Sequence, residues 1–300
     1  MLIRPSELAD ADQIGAFLQT LRPYVVMPPG ATRSRLEKVL ADDRAADWVA
    51  ESDGEVVGWA RVAPARHQAD PGEYSVSVSV HPDHRRQGIG AALVDLIRQH
   101  LAGREVRRVQ AVAEGDGLAF AAFLGGVAGD VTRVAGLRLD ALPPQPAVPA
   151  GTSVVPLTEV DPRDAYPVFA ETLRQIPGFE QSDVSYDSFL TSTWEVGTGN
   201  CLDLGVAALV DDTVAAMTLV MRGDESLWTN LTATSTSHRG RGLAKLVKWS
   251  SLARAAEAGC TMAYTANSAQ NAPMLAVNDW FGYSLAATGT TITWRGDTDL

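Results

Sequence analysis

At 300 residues and 46% hydrophobic composition, the chain has material for two medium globular domains, each able to bury its own core. Its formal charge of −11 repels nucleic-acid phosphates and weakly favours cationic partners, and amines are cations at neutral pH. The two cysteines, Cys201 and Cys260, form no CxxC pair or His/Cys cluster, which argues against a disulfide framework or a tetrahedral metal site.

In chain order, 6–14 begins a capped amphipathic helix and 33–40 forms a second. Strands at 48–51 and 56–62 flank an Asp53-Gly54 turn, where glycine accepts positive φ. A serine and valine alternation over 74–80 predicts a strand with one apolar face. Four prolines between Leu142 and Gly151 exclude both helix and central strand, so 142–151 reads as a linker between domains 1–141 and 152–300. The second half repeats the order of the first: helices near 162–173 and 186–194, then strands at 206–210 and 214–220 around Asp211-Asp212-Thr213, and another strand at 227–234.

Each 74–80-type strand runs into a glycine-rich turn and a long helix. The turns are Arg85-Arg86-Gln87-Gly88-Ile89-Gly90-Ala91 and Arg239-Gly240-Arg241-Gly242-Leu243-Ala244-Lys245, both with the spacing R-x-x-G-x-G/A. Small residues there let a backbone approach an anion closely, and the free N–H groups and positive dipole end of the following helix attract phosphate. Arginines add charge and forked donors. Neither turn contains G-K-[ST], as an NTPase P-loop would, nor the G-x-G-x-x-G of a dinucleotide fold.

A strand, this turn and a helix in mid-domain, present twice, resemble the acetyl-CoA pyrophosphate loop of the GNAT superfamily of N-acetyltransferases. The resemblance implies an α/β fold of two tandem GNAT-like domains, each a mixed twisted sheet flanked by helices. It implies that both turns cradle the pyrophosphate of acetyl-CoA, a cosubstrate, with no metal. It further implies that the backbones of Val78-Ser79-Val80 and Thr232-Ala233-Thr234 hold the pantetheine arm and polarise the thioester carbonyl. The next strands, 106–112 and 262–265, would splay away to admit that arm, and Asn267 and Asn271 would bond it.

Two departures from the family pattern bear on chemistry. Asn278 stands where many members carry the tyrosine that protonates the leaving thiolate, and Phe123 stands there in the first half. A thiol with a pKa near ~8.5 leaves tolerably without that acid. The second half keeps Asn271, which favours it as the catalytic domain. Glu225 and Glu73, which precede the central strands, are candidate general bases, and solvated loop charges are the more ordinary reading of them. Lys245 and Lys248 are placed on the helix after the second turn, either reaching cofactor phosphates or on a solvated face.

The expected activity is acetyl transfer from acetyl-CoA to the primary amine of a small molecule that is antibiotic-, peptide- or amino-sugar-like. Two alternatives stand beside it: an acetyltransferase similar to mycothiol synthase, another tandem GNAT protein, and an acyl-CoA-binding sensor or scaffold without turnover. No apolar run of about 18 residues occurs and Arg4-Pro5 interrupts any signal-peptide core, so a soluble, cytoplasmic protein is expected. It would be a monomer or homodimer with no nucleic-acid or membrane partner.

Overall fold

Tight hairpins fix the sheet of each half. β1 (Leu2–Pro5), α1 (Ala11–Leu21) and α2 (Ala31–Ala41) precede β2 (Ala46–Ser52) and β3 (Glu55–Pro64), which are joined by Asp53 and Gly54 at φ 54° and 83°. Two consecutive positive φ values match the twist of the flanking strands. β4 (Glu73–Val80), α3 (Ile89–Leu101), β5 (Arg108–Ala113), α4 (Gly117–Phe123) and β6 (Val127–Arg138) follow. The structure, a computed structural model, describes residues 1–65, 72–176, 184–195 and 199–296.

The second half runs β7 (Thr152–Pro156), α5 (Pro162–Leu173), α6 (Tyr186–Phe189), β8 (Val206–Val210), β9 (Thr213–Arg222), β10 (Ser226–Thr234), α7 (Leu243–Glu257), β11 (Met262–Ser268), α8 (Ala272–Phe281) and β12 (Ser284–Arg295). Its hairpin between β8 and β9 uses Asp211 and Asp212 at φ 48° and 60°, a conformation that aspartate tolerates better than most residues. A five-residue π-helical segment, Leu190–Trp194, continues α6, so the helix expected over 186–194 is present with a looser second turn. Residues 142–149 form neither helix nor strand, as their prolines dictate.

The chain divides into two compact units. Unit 1 comprises Met1–Pro23, Gly30–Thr132 and Thr288–Leu300, and unit 2 comprises Tyr24–Pro29 and Arg133–Ala287. Within unit 1 the strand order is β1-β2-β3-β4-β5-β12, with β4 and β5 parallel and the other neighbours antiparallel. Ile14 and Phe17 of α1 are buried, and Ile89, Leu93 and Ile97 of α3 pack with Trp48, Val62, Val76 and Val109. The units differ from a linear partition into 1–141 and 152–300 because β12 pairs with β5, from Thr290↔Ala113 to Arg295↔Arg108, and sends Ile292 and Trp294 into this core.

Unit 2 has the order β6-β11-β10-β9-β8-β7, with β10 and β11 parallel. β9 is buried along most of its length, as expected for a strand covered on both faces. Leu157, Phe169, Phe189 and Met217 form one core, while Leu243, Leu246 and Val247 of α7 form another with Val206, Ala208 and Val210. The Trp249 indole donates to the Pro143 carbonyl at 2.8 Å and so ties the proline-rich stretch to α7.

Candidate cosubstrate-binding site

In each unit the middle of the sheet opens. The parallel ladder between β4 and β5 runs from Glu73↔Arg108 only to Ser75↔Gln110, although β4 continues to Val80 and β5 to Ala113. Likewise β10 and β11 pair from Ser226↔Met262 to Thr229↔Thr265, and then continue to Thr234 and Ser268. Val78, Ser79 and Val80, like Thr232, Ala233 and Thr234, therefore lie on stretches bonded to their neighbour on one side alone, β3 or β9. Buried backbone donors and acceptors need partners, so the open side of each strand suits an amide-bearing ligand lying along it.

Both open stretches lead directly into the glycine turns. Short 3-10 turns, Pro82–His84 and Thr236–His238, carry the chain over the end of the sheet. Gly88 and Gly242 then occupy the left-handed region at φ 85° and 83°, and two residues earlier Arg86 and Gly240 do so at 62° and 76°. A Cβ built on Gly88, Gly240 or Gly242 would meet no heavy atom within 4 Å, so the space in front of each turn is free for a ligand. α3 and α7 begin without a side-chain cap, which leaves first-turn N–H groups for an anion.

The site residues named from the sequence divide by what they can offer. Ile89 and Leu243 are 1% exposed and anchor the helix starts, so only their backbones face the turn. Arg85 Nε donates to the Val80 carbonyl at 3.2 Å and Arg239 Nε to that of Thr234 at 3.4 Å, which staples each turn to its strand. Gln87 Nε2 bonds the Asp83 carbonyl at 3.3 Å. Gly90 packs on Phe120, while Ala91 lines a cavity of about 510 Å³ with Val94, Arg98, Phe120 and Phe123. Arg86, Arg241 and Ala244 follow the turn backbones, and Lys245 places its ammonium 4.8 Å from the centre of the Trp280 ring.

The two openings are built differently. β10 is out of register with β9 between Thr229 and Leu231, a bulge at Asn230, whereas β4 pairs with β3 without interruption. A bulge takes one residue out of the ladder and re-aims its neighbours, here where the ladder to β11 also ends. In unit 1, Arg22 reaches both sides of the opening: its Nη2 lies 3.3 Å from Ser79 Oγ on β4 and its Nε 4.0 Å from Glu114, just past β5. In unit 2 the end of α5 braces the turn, with Glu171 accepting from the Thr236 N–H at 3.2 Å and Gln175 accepting from Arg239.

The candidate bases lie elsewhere. Glu73 is held by Arg108 at 2.7 Å at the paired end of β4, and Glu225 is exposed just before β10. β10 is nine residues long, which puts Glu225 about 30 Å along the strand from the second turn. Asn271 caps α8, its Oδ1 accepting from the Met274 N–H at 3.3 Å. Asn278 is 4% exposed, and its Nδ2 donates to Asn267 Oδ1 at 2.7 Å. Lys248, expected on a solvated face or at cofactor phosphates, is 1% exposed and donates to Asn278 Oδ1 at 2.6 Å. Burial lowers its pKa to about 7. The signal was in the sequence: Lys248 stands three, four and seven residues before Ser251, Leu252 and Ala255, all buried.

Among the described residues no group of His, Cys, Asp and Glu could hold a metal ion, and no helix is long and apolar enough to cross a membrane.

Residues 16–124 match the acetyltransferase (GNAT) family, a span that includes the first glycine turn and not the second. The chain is similar over 98% of its length, and 98% of the other, to a tandem GNAT protein from the clavulanic acid biosynthesis pathway, at 26% identity and a TM-score of 0.71. It is similar in fold to a GCN5-related N-acetyltransferase from Sphaerobacter thermophilus, covering 100% of this chain and 97% of that one at 20% identity and a TM-score of 0.71. An acetyltransferase of the GNAT family from Colwellia psychrerythraea follows at 15% identity, 98% and 100% coverage and a TM-score of 0.60. No curated protein matches the sequence.

Proposed function

We propose, from the premise that this chain is a tandem-domain member of the GNAT superfamily of acetyltransferases, that it transfers the acetyl group of acetyl-CoA to a primary amine of a small molecule. The observation that carries this reading is the coincidence, in each unit, of an opened parallel strand pair with an uncapped helix start behind a left-handed glycine. The glycine turn would hold the pyrophosphate on first-turn N–H groups, and the amides of the pantetheine arm would complete the open edge of the strand.

Unit 2 is the better candidate for turnover. Its bulge at Asn230 leaves a backbone N–H outside the ladder, suited to the oxyanion that develops on a thioester carbonyl. The free amine attacks that carbon, the C–N bond forms, and the C–S bond breaks with its electrons on sulfur. The nitrogen gives up a proton and the thiolate takes one up. With Asn278 in place of an acid, solvent is the proton source for a sulfur of pKa near ~8.5. Neither Glu225 nor Glu73 stands near the opening, so the base role proposed for them from the sequence draws no support from their placement.

A thiol-trapping assay of CoA release over a panel of amines tests the reading. Acetyl-CoA with polyamines, amino sugars and amino-terminal peptides should give amine-dependent release that Gly242→Glu abolishes. Tight acetyl-CoA binding without release on any amine would favour the sensor reading instead.

A further inference from the structure

The hydrogen-bonded chain Lys248–Asn278–Asn267, buried at its first two members, crosses three elements of unit 2: α7, α8 and β11. Lysine is a poor choice for a core position, and here its amine lies 4.5 Å from the centre of the Tyr283 ring with one short hydrogen bond, to Asn278 Oδ1. An amide carries an acceptor at one end and donors at the other. While the lysine holds its proton it can only donate, so Oδ1 must face it: the reverse orientation of Asn278 would press its NH2 group against the ammonium. In that orientation Nδ2 points to Asn267, whose Oδ1 is thereby taken as an acceptor. The donor left to Asn267 is its own NH2 group. Asn267 stands two residues beyond Thr265, the last residue of β11 paired with β10, and so on the opened part of the strand.

We propose that Lys248 is a positioning residue: by fixing the orientation of the Asn278 amide it makes Asn267 present its NH2 group to a carbonyl of the acylated thiol cosubstrate lying in the opening between β10 and β11. The assignment rests on the acetyl-CoA reading above and extends it to a side chain that touches no ligand. Without Lys248 both asparagine amides can turn over, and Asn267 offers an acceptor to a ligand carbonyl for part of the time.

Calorimetric titration of acetyl-CoA at pH 6, where Lys248 holds its proton, with the first turn closed by Gly88→Glu, isolates the second opening. Lys248→Met keeps the length and apolar body of the side chain and removes the donor. Asn278→Asp keeps a partner for Lys248 and removes the donor to Asn267, so it reports on the same chain from its middle member. Each should weaken binding by about fivefold to tenfold, the worth of one misdirected hydrogen bond. The double variant should be no weaker than either single one, since all three break the same chain. Affinity unchanged in either variant, or losses that multiply, would overturn the proposal. No acetyl-CoA binding before any change at Lys248 or Asn278 would instead overturn the reading on which it rests.

Discussion

Lys248 sets an energetic demand that its burial makes explicit. Its amine is pushed down to about 7 by burial, while an unfolded chain restores the ordinary value near 10.5. Between those values the unfolded chain holds a proton that the folded chain lacks, so stability rises with pH across the window, and the full cost of a buried charge is felt below about 7. Lys248→Met should therefore stabilise the fold most at pH 6, on the order of a few kcal/mol and read as a raised melting temperature, with the advantage shrinking as pH approaches 10. An advantage independent of pH would mean that the amine does not titrate in this window. A residue that weakens the fold while ordering two amides fits the usual opposition of stability and function at a site.

Residue-scale chemistry was partly legible in the sequence. The glycine requirement was, because only a left-handed backbone and open space reproduce R-x-x-G-x-G/A behind a strand, and Gly88 and Gly242 have both. The arginines at the head of each turn add charge and forked donors on the sequence reading, and the structure shows in addition that their Nε groups bond the strand ends. Asn271 was read as a ligand contact and caps a helix, a use of asparagine equally local and equally common. Asn278 and Lys248 are far apart in sequence, so their contact had no local signature.

Among the elements, hairpins and helices followed from local pattern. The Asp53-Gly54 turn, α5 over Pro162–Leu173 and β8 over Val206–Val210 lie where their turn residues and periodicity place them. The bulge at Asn230 and the partner of β12 did not follow, because register and strand partner are decided by long-range pairing. β12 nevertheless matters to the far end of the chain. Trp294 is 4% exposed in the core of unit 1, and its indole donates to the Leu124 carbonyl at 2.9 Å. Trp294→Ala should cost about 3–5 kcal/mol and speed amide exchange in β4 and β5. A chain ending at residue 283 that keeps slow exchange in β5 would show that unit 1 closes without β12.

At the scale of the whole molecule, the same device occurs twice with different supports. The family match lies over the first turn, whose Arg86-Gln87-Gly88-Ile89-Gly90 sequence is the fuller version, yet the bulged central strand belongs to the second. Arg22 and Glu114 flank the opening in unit 1, with Arg22 bonded to the Ser79 hydroxyl and 4.0 Å from Glu114. On this account both turns bind acetyl-CoA and the second turns it over. Native mass spectrometry of the chain with acetyl-CoA, beside Gly88→Glu and Gly242→Glu, reads the claim directly, since each substitution strains a positive φ and puts a carboxylate where a phosphate would lie. Two cosubstrates bound by the unaltered chain and one by each variant is the predicted result; a chain that binds none, or variants that both still bind two, would contradict it.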